Sequence, residues 1–127
     1  MPGVGRITAL AFYLAIENPE RFKSSRALGA YFGLRPRIRE SGQQRPQLGI
    51  TKAGNQFLRR LLVQCAHHVL SQGPDSDLKR WGLAYAERGA KNARKRAVVA
   101  VARKIAVVLH RLWSDRAEYQ PLRRAAA

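Results

Sequence analysis

The sequence is short of acid. Eight Asp and Glu stand against 24 Lys and Arg in 127 residues, giving a net charge of +16 and an isoelectric point near 11.5. The acids are scattered at Glu17, Glu20, Glu40, Asp75, Asp77, Glu87, Asp115 and Glu118. A two-metal nuclease needs several carboxylates converging on ions ~4 Å apart, and this scatter suggests no such set. Asp75 and Asp77 read instead as acids at a helix N-terminus. Cysteine is nearly missing too. Cys65 alone excludes an internal disulfide, and its apolar helical setting predicts a buried thiol. With His67 and His68 it lacks the spacing of a zinc site, and the histidines read as surface or satisfied polar residues. No segment reaches the ~18 uninterrupted apolar residues of a membrane span. Residues 1–30 have no basic start leading into a long apolar run, so a cytoplasmic location is expected. There is no internal repeat and no interdomain linker.

What the chain has is a globular composition and an excess of cations. Its hydrophobic fraction is 46%, enough for one modest core. Self-repulsion at +16 gains a free domain nothing, and a polyanion partner explains it; nucleic acid is the commonest. Arginine outnumbers lysine, which favours bidentate phosphate contacts. A membrane surface is the rival partner. It fits less well, because the basic residues are spread over every segment instead of beside one apolar helix face.

The periodicity predicts an all-α, compact helical domain. Ile7, Leu10, Ala11 and Leu14 recur at helical spacing in a first helix, about Arg6 to Glu17, that stops at Asn18-Pro19. Ser24 or Ser25 can cap a second helix ending near Gly33. A third starts between Thr51 and Asn55 and ends before Gly73-Pro74. Leu58, Leu61, Leu62, Cys65 and Val69 line one of its faces, with Arg59, Arg60, Gln64 and His67 largely on the other. Asp75 or Ser76 caps a shorter helix to about Arg88, and Gly89 breaks it. The last helix runs from about Asn92 to Ser114, with Val98, Val101, Ile105, Val108, Leu109 and Leu112 as its seam and Arg96, Arg103 and Arg111 outside. Trp81, Tyr85 and Trp113 read as interhelix packing. The domain spans 1–115, and 116–127 reads as a frayed tail.

Three places carry candidate chemistry. Pro2-Gly3-Val4-Gly5 before an apolar helix has the form of a helix-hairpin-helix hairpin. Gly3 and Gly5 would let backbone approach a phosphate, and the helix behind offers free N–H groups. An ordinary glycine turn is the plain alternative. The run Lys91 to Arg96, with Lys95 and Arg96, reads as a nucleic-acid patch or a solvated helix start; cations are disfavoured at a helix N-terminus unless a partner compensates. Between Gly33 and Asn55 lies a polar loop or short β-hairpin, in which Arg37 to Glu40 pairs with Leu48 to Thr51. It gathers Arg35, Arg37, Arg39, Arg45 and Lys52 around Ser41-Gly42. Serine beside glycine is usually turn chemistry. A serine attacking phosphorus needs neutralised phosphate oxygens, which these cations could supply, and a general base, which no near neighbour provides.

Taken in order, PGVGRITALAF, ERFKSSRALGAYFGLRPR, ESG and GITKAGNQFLRRLLVQCA resemble the C-terminal domain of bacterial insertion-sequence transposases of the IS one-ten, one-sixteen and nine-oh-two type. The likeness covers most of residues 2–70 and, more weakly, the helices after them. It implies a recombinase that uses a guide RNA on DNA, as a homo-oligomer with no membrane partner. Ser41, in the Glu40-Ser41-Gly42 motif, would be the nucleophile forming a phosphoserine link. The family's N-terminal RuvC-like domain, with its DEDD site for a divalent metal, magnesium, is not in these residues, and the hairpin lacks its first helix. The chain therefore reads as truncated and inactive alone, with no cofactor of its own. Arg59 and Arg60 join Arg35, Arg37, Arg39, Arg45, Lys52, Lys95 and Arg96 as expected phosphate contacts. The alternative is a non-enzymatic helix-hairpin-helix binding module.

Overall fold

The computed structural model describes residues 1–24, 27–34, 36–38, 47–50, 55–89 and 91–123. The helices are α1 (Arg6–Ile16), α2 (Ala27–Tyr31), α3 (Gln56–Ser71), α4 (Asp77–Arg88) and α5 (Ala93–Asp115), with a single 3₁₀ turn at Pro19–Arg21 after α1. Two short strands, β1 (Pro36–Ile38) and β2 (Gln47–Ile50), pair antiparallel between α2 and α3. The architecture is the expected all-α domain with one hairpin inserted.

Local chemistry sets most of the ends. Asn18 closes α1, and its side chain accepts from the N–H of Glu20 at 3.0 Å to open the 3₁₀ turn. Asn55 caps α3 through the N–H of Leu58, and Ser76 caps α4 through the N–H of Lys79, each at 3.0 Å. Asp75 takes a different part: its carboxylate accepts from Nε of Arg80 at 2.9 Å. Gly33 adopts φ 70, and the N–H of Leu34 reaches back to the carbonyl of Gly29, a Schellman ending for α2. Ser25 lies outside the described residues; the Ser24 carbonyl accepts from the N–H of Ala27.

The core is organised around α5, which packs on α2, α3 and α4. Its buried side is rich in alanine: Ala93, Ala97, Ala100, Ala102 and Ala106 join Val98, Val101 and Ile105. Small residues there let neighbouring helices come close. Gly82 of α4 does the same, and a Cβ on it would lie 2.6 Å from Leu70 of α3 and 2.6 Å from Val101 of α5. Val108, Leu109 and Leu112, expected in the seam, are only partly covered. Trp81, Tyr85 and Trp113 pack half-buried against the core, as expected. Nζ of Lys104 sits 4.3 Å from the Trp81 ring centre, tying α5 to α4. Buried His110 donates from Nε2 to the Pro19 carbonyl at 2.8 Å, joining α5 to the turn after α1.

Two expectations are corrected here. The four apolar residues that announce α1 are not the side it buries: Thr8, Phe12 and Ile16 face the core, while Ile7, Leu10 and Leu14 are exposed. The segment after α5 is not simply frayed. Residues 116–121 turn back, the carbonyl of Pro121 accepts from the N–H of Asp77 at 2.7 Å, and Tyr119 bonds Ser76. Pro2 from the other end of the chain and Pro121 line one small cleft with Val69, Gly73, Pro74, Ser76 and Tyr119.

Candidate nucleic-acid interface

The hairpin is held at its base by the core. Leu34, just before it, and Leu58, just after it, are both fully buried. Nη1 of Arg59 donates to the carbonyl of Phe32 at 3.4 Å, joining the start of α3 to the end of α2. β1 and β2 leave this base paired Pro36 to Ile50 and Ile38 to Gln47, with an irregular register between. The expected pairing is therefore present, and β2 starts at Gln47. Arg37 is a β1 residue. Ser41, Arg35, Arg39, Arg45 and Lys52 lie outside the described residues. In sequence Ser41 falls in the connection between the strands, residues 39–46.

Arg59 needs correction. Charge and spacing placed it on the outer face of α3, but it is 8% exposed and works as a structural clamp. A guanidinium can be buried when its donors find oxygens, and helix ends supply free carbonyls. Arg60 is exposed, as expected.

The glycine hairpin packs on α3. The N–H of Val4 bonds the Met1 carbonyl at 3.1 Å. Gly3 has φ 90, and a Cβ on it would meet His68 and Val69 at 3.1 and 3.2 Å. Glycine at position 3 is thus explained by backbone conformation and close packing. Gly5 is different: it is the N-cap of α1, no side chain caps the helix, and nothing lies within 4 Å of a Cβ there. The first N–H groups of α1 open beside a shallow concavity of about 520 Å³ lined by residues 1–5, Thr8, Leu61, Gln64, Cys65 and His68. Thr8 is buried and accepts from the thiol of Cys65 at 3.7 Å. Burial pushes that thiol above its ordinary 9.0, so it suits packing better than nucleophilic work.

Lys95 and Arg96 are exposed beside Arg94 in the first turn of α5, with Lys91 just before it. That turn has no acid, and its N-cap, Asn92, has a left-handed φ of 67 and makes no side-chain cap. Three cations thus stand at the positive end of a 23-residue helix, which self-energy disfavours without an anion nearby. Among the described residues no three His, Cys, Asp or Glu gather to hold a metal, and no helix is long and apolar enough to cross a membrane.

Ordered motifs over a helical frame, with an arginine-rich hairpin set between α2 and α3, define a DNA-transaction domain of the insertion-sequence kind. Residues 1–81 match the model of the Transposase IS116/IS110/IS902 family, and the chain belongs to that family. It is 38% identical over 122 residues to the transposase for insertion sequence element IS1111A of Coxiella burnetii, covering 94% of this chain and 33% of that protein. A probable family 20 transposase of Pseudomonas aeruginosa is 31% identical over 121 residues, covering 94% of this chain and 35% of that protein. The transposase for insertion sequence element IS1328 of Yersinia enterocolitica is 44% identical over 66 residues, 52% of this chain and 20% of that protein. The chain spans about a third of the length of relatives that match it nearly end to end.

Proposed function

We propose that this chain is the serine-bearing, DNA-binding domain of a transposase, with Ser41 as the nucleophile of the complete enzyme. The observation that carries the reading is the family match over residues 1–81, which includes the whole arginine-rich hairpin segment. Arg35, Arg37, Arg39, Arg45 and Lys52 neutralise the phosphate oxygens. The hydroxyl oxygen of Ser41 attacks phosphorus, a new P–O bond forms, and the P–O bond to one deoxyribose oxygen breaks. The serine proton leaves to a base and the departing oxygen takes up a proton. Attack by another strand's hydroxyl on the phosphoserine then frees Ser41 and joins the strands. The residues described here offer no metal set, so no step is routed through a metal in this chain; the divalent ion belongs to the RuvC-like domain of the longer protein. Guide RNA and a homo-oligomer complete the proposed machine. The binding-only reading leaned on the glycine hairpin, and packing on α3 already accounts for Gly3.

The test is Ser41→Ala in a protein that also carries the N-terminal domain. DNA affinity should hold within about twofold, while strand exchange and the covalent protein–DNA adduct vanish. Retained recombination refutes the assignment. Affinity should also fall with salt at a log–log slope of about −0.9 per duplex phosphate neutralised. A flat profile refutes the electrostatic part.

A further inference from the structure

α1 is apolar on two opposite sides. Thr8, Phe12 and Ile16 are buried within the domain. The other side carries Ile7, Leu10, Tyr13 and Leu14, which are 68%, 59%, 55% and 61% exposed. Among the described residues six large apolar side chains are exposed, and four of them are on this one helix. Arg6 is the only charged residue in it, within a chain holding 24 Lys and Arg. A helix that is apolar all round is usually covered all round.

We infer that the outer face of α1 is a self-association surface, on which two copies of this chain meet as antiparallel helices about a two-fold axis near Leu10. The inference rests on the proposed homo-oligomeric recombinase and names its contact. Spacing supports it: residues 7, 10 and 14 fall at alternating steps of three and four, the seam of a two-helix pair. The seam is nearly symmetric about its middle. An antiparallel partner sets Ile7 against the partner's Leu14 and Leu10 against the partner's Leu10, the same patch on both sides, as a two-fold contact requires.

Charge supports it too. Two bodies of net +16 repel, so they can touch closely only where cations are absent. α1 is such a place, and its ends carry opposite signs, exposed Arg6 and exposed Glu17. Antiparallel pairing brings Arg6 to the end where the partner's Glu17 stands. Nucleic acid would want cations on this face, and an anionic bilayer would want Lys or Arg flanking it. Four half-exposed side chains offer about 400 Å² per copy, half the ~800 Å² per partner of a stable interface. The dimer is therefore weak, with a dissociation constant on the order of 10–500 μM. Tyr13 extends the patch toward α5 through its stack on Trp113, ring centres 5.1 Å apart.

Sedimentation equilibrium of the 127-residue chain without nucleic acid tests this. A concentration-dependent dimer is expected, and Leu10→Gln should raise its dissociation constant at least tenfold while leaving the circular dichroism and melting temperature unchanged. Under mild oxidation Leu10→Cys should cross-link to itself. Ile7→Cys should cross-link to Leu14→Cys and poorly to itself, while Cys65 is buried and silent. A monomer at every concentration, a dimer indifferent to Leu10→Gln, or efficient Ile7→Cys self-cross-linking overturns the inference. Binding to anionic vesicles that Leu10→Gln abolishes, with no dimer in solution, also overturns it. Ser41→Ala should dimerise like the parent, so failure here and failure of the nucleophile assignment are read separately.

Discussion

Gly82→Ala pits helix propensity against packing. In an exposed helix interior, alanine for glycine stabilises by ~1 kcal/mol. Gly82 is buried in the middle of α4, between two other helices. Its new methyl would fall 2.6 Å from Leu70 Cδ2 and 2.6 Å from Val101 Cγ2, closer than real Cβ atoms come. Neither neighbour yields freely. Leu70 is 6% exposed and Val101 is fully buried, with a β-branched rotamer fixed by its helix. Overpacking of this kind costs ~1–3 kcal/mol and here acts on two helices, so packing should win by about 1–2 kcal/mol net. For a domain of this size that lowers the melting temperature by roughly 3–10 °C. Thermal and urea unfolding followed by circular dichroism give the number. Adding Val101→Ala opens the space, so the double mutant should be less damaged than the sum of the singles by about 1 kcal/mol. If Gly82→Ala leaves stability unchanged or raises it, the close approach of α3, α4 and α5 is wrong.

Gly3→Ala should destabilise by roughly 1–3 kcal/mol, from the positive φ and the crowding by His68 and Val69, whereas Gly5→Ala should stay within about 1 kcal/mol. Matched melts of the two variants check the contrast. Burial raises the Cys65 thiol above its ordinary 9.0 and Tyr119 above its ordinary 10.0. Each is held neutral by the fold and ionises first in the unfolded chain. The stability they contribute is therefore complete below pH 9 and declines as pH rises beyond it. Melting temperature against pH should fall more steeply above 9 in the parent than in Cys65→Ala; parallel curves refute the burial argument. Tyr119→Phe should cost roughly 1 kcal/mol, because its hydroxyl bonds the residue that caps α4, and a silent variant would return residues 116–121 to the status of a loose tail.

The sequence was most legible where structure is decided locally. Asn18-Pro19, Gly33, Asn55, Ser76 and Gly89 mark helix ends because a side-chain oxygen, a missing N–H or a positive φ acts within one turn of its own residue. The hairpin was legible for the same reason. Which side of α1 faces inward was not, since both sides are apolar and only the partners decide. Arg59 misled through its charge, and its burial depends on a carbonyl 27 positions away. The alanines of α5 carry little periodic signal, yet their smallness brings three helices onto one. For the site, the arginine density pointed to an anion, but the role of Ser41 came from the ordered motifs around it and never from local chemistry.

Pro2 and Pro121 share a cleft at the C-terminal end of α3. The polypeptide thus enters and leaves this body at one corner, beside Ser76 and Tyr119. Such a module is topologically a bead on a ring. A short linker from residue 123 to residue 1 should close the backbone without moving a helix, and a circular permutant opened between α4 and α5, at Gly89, should refold to the same core.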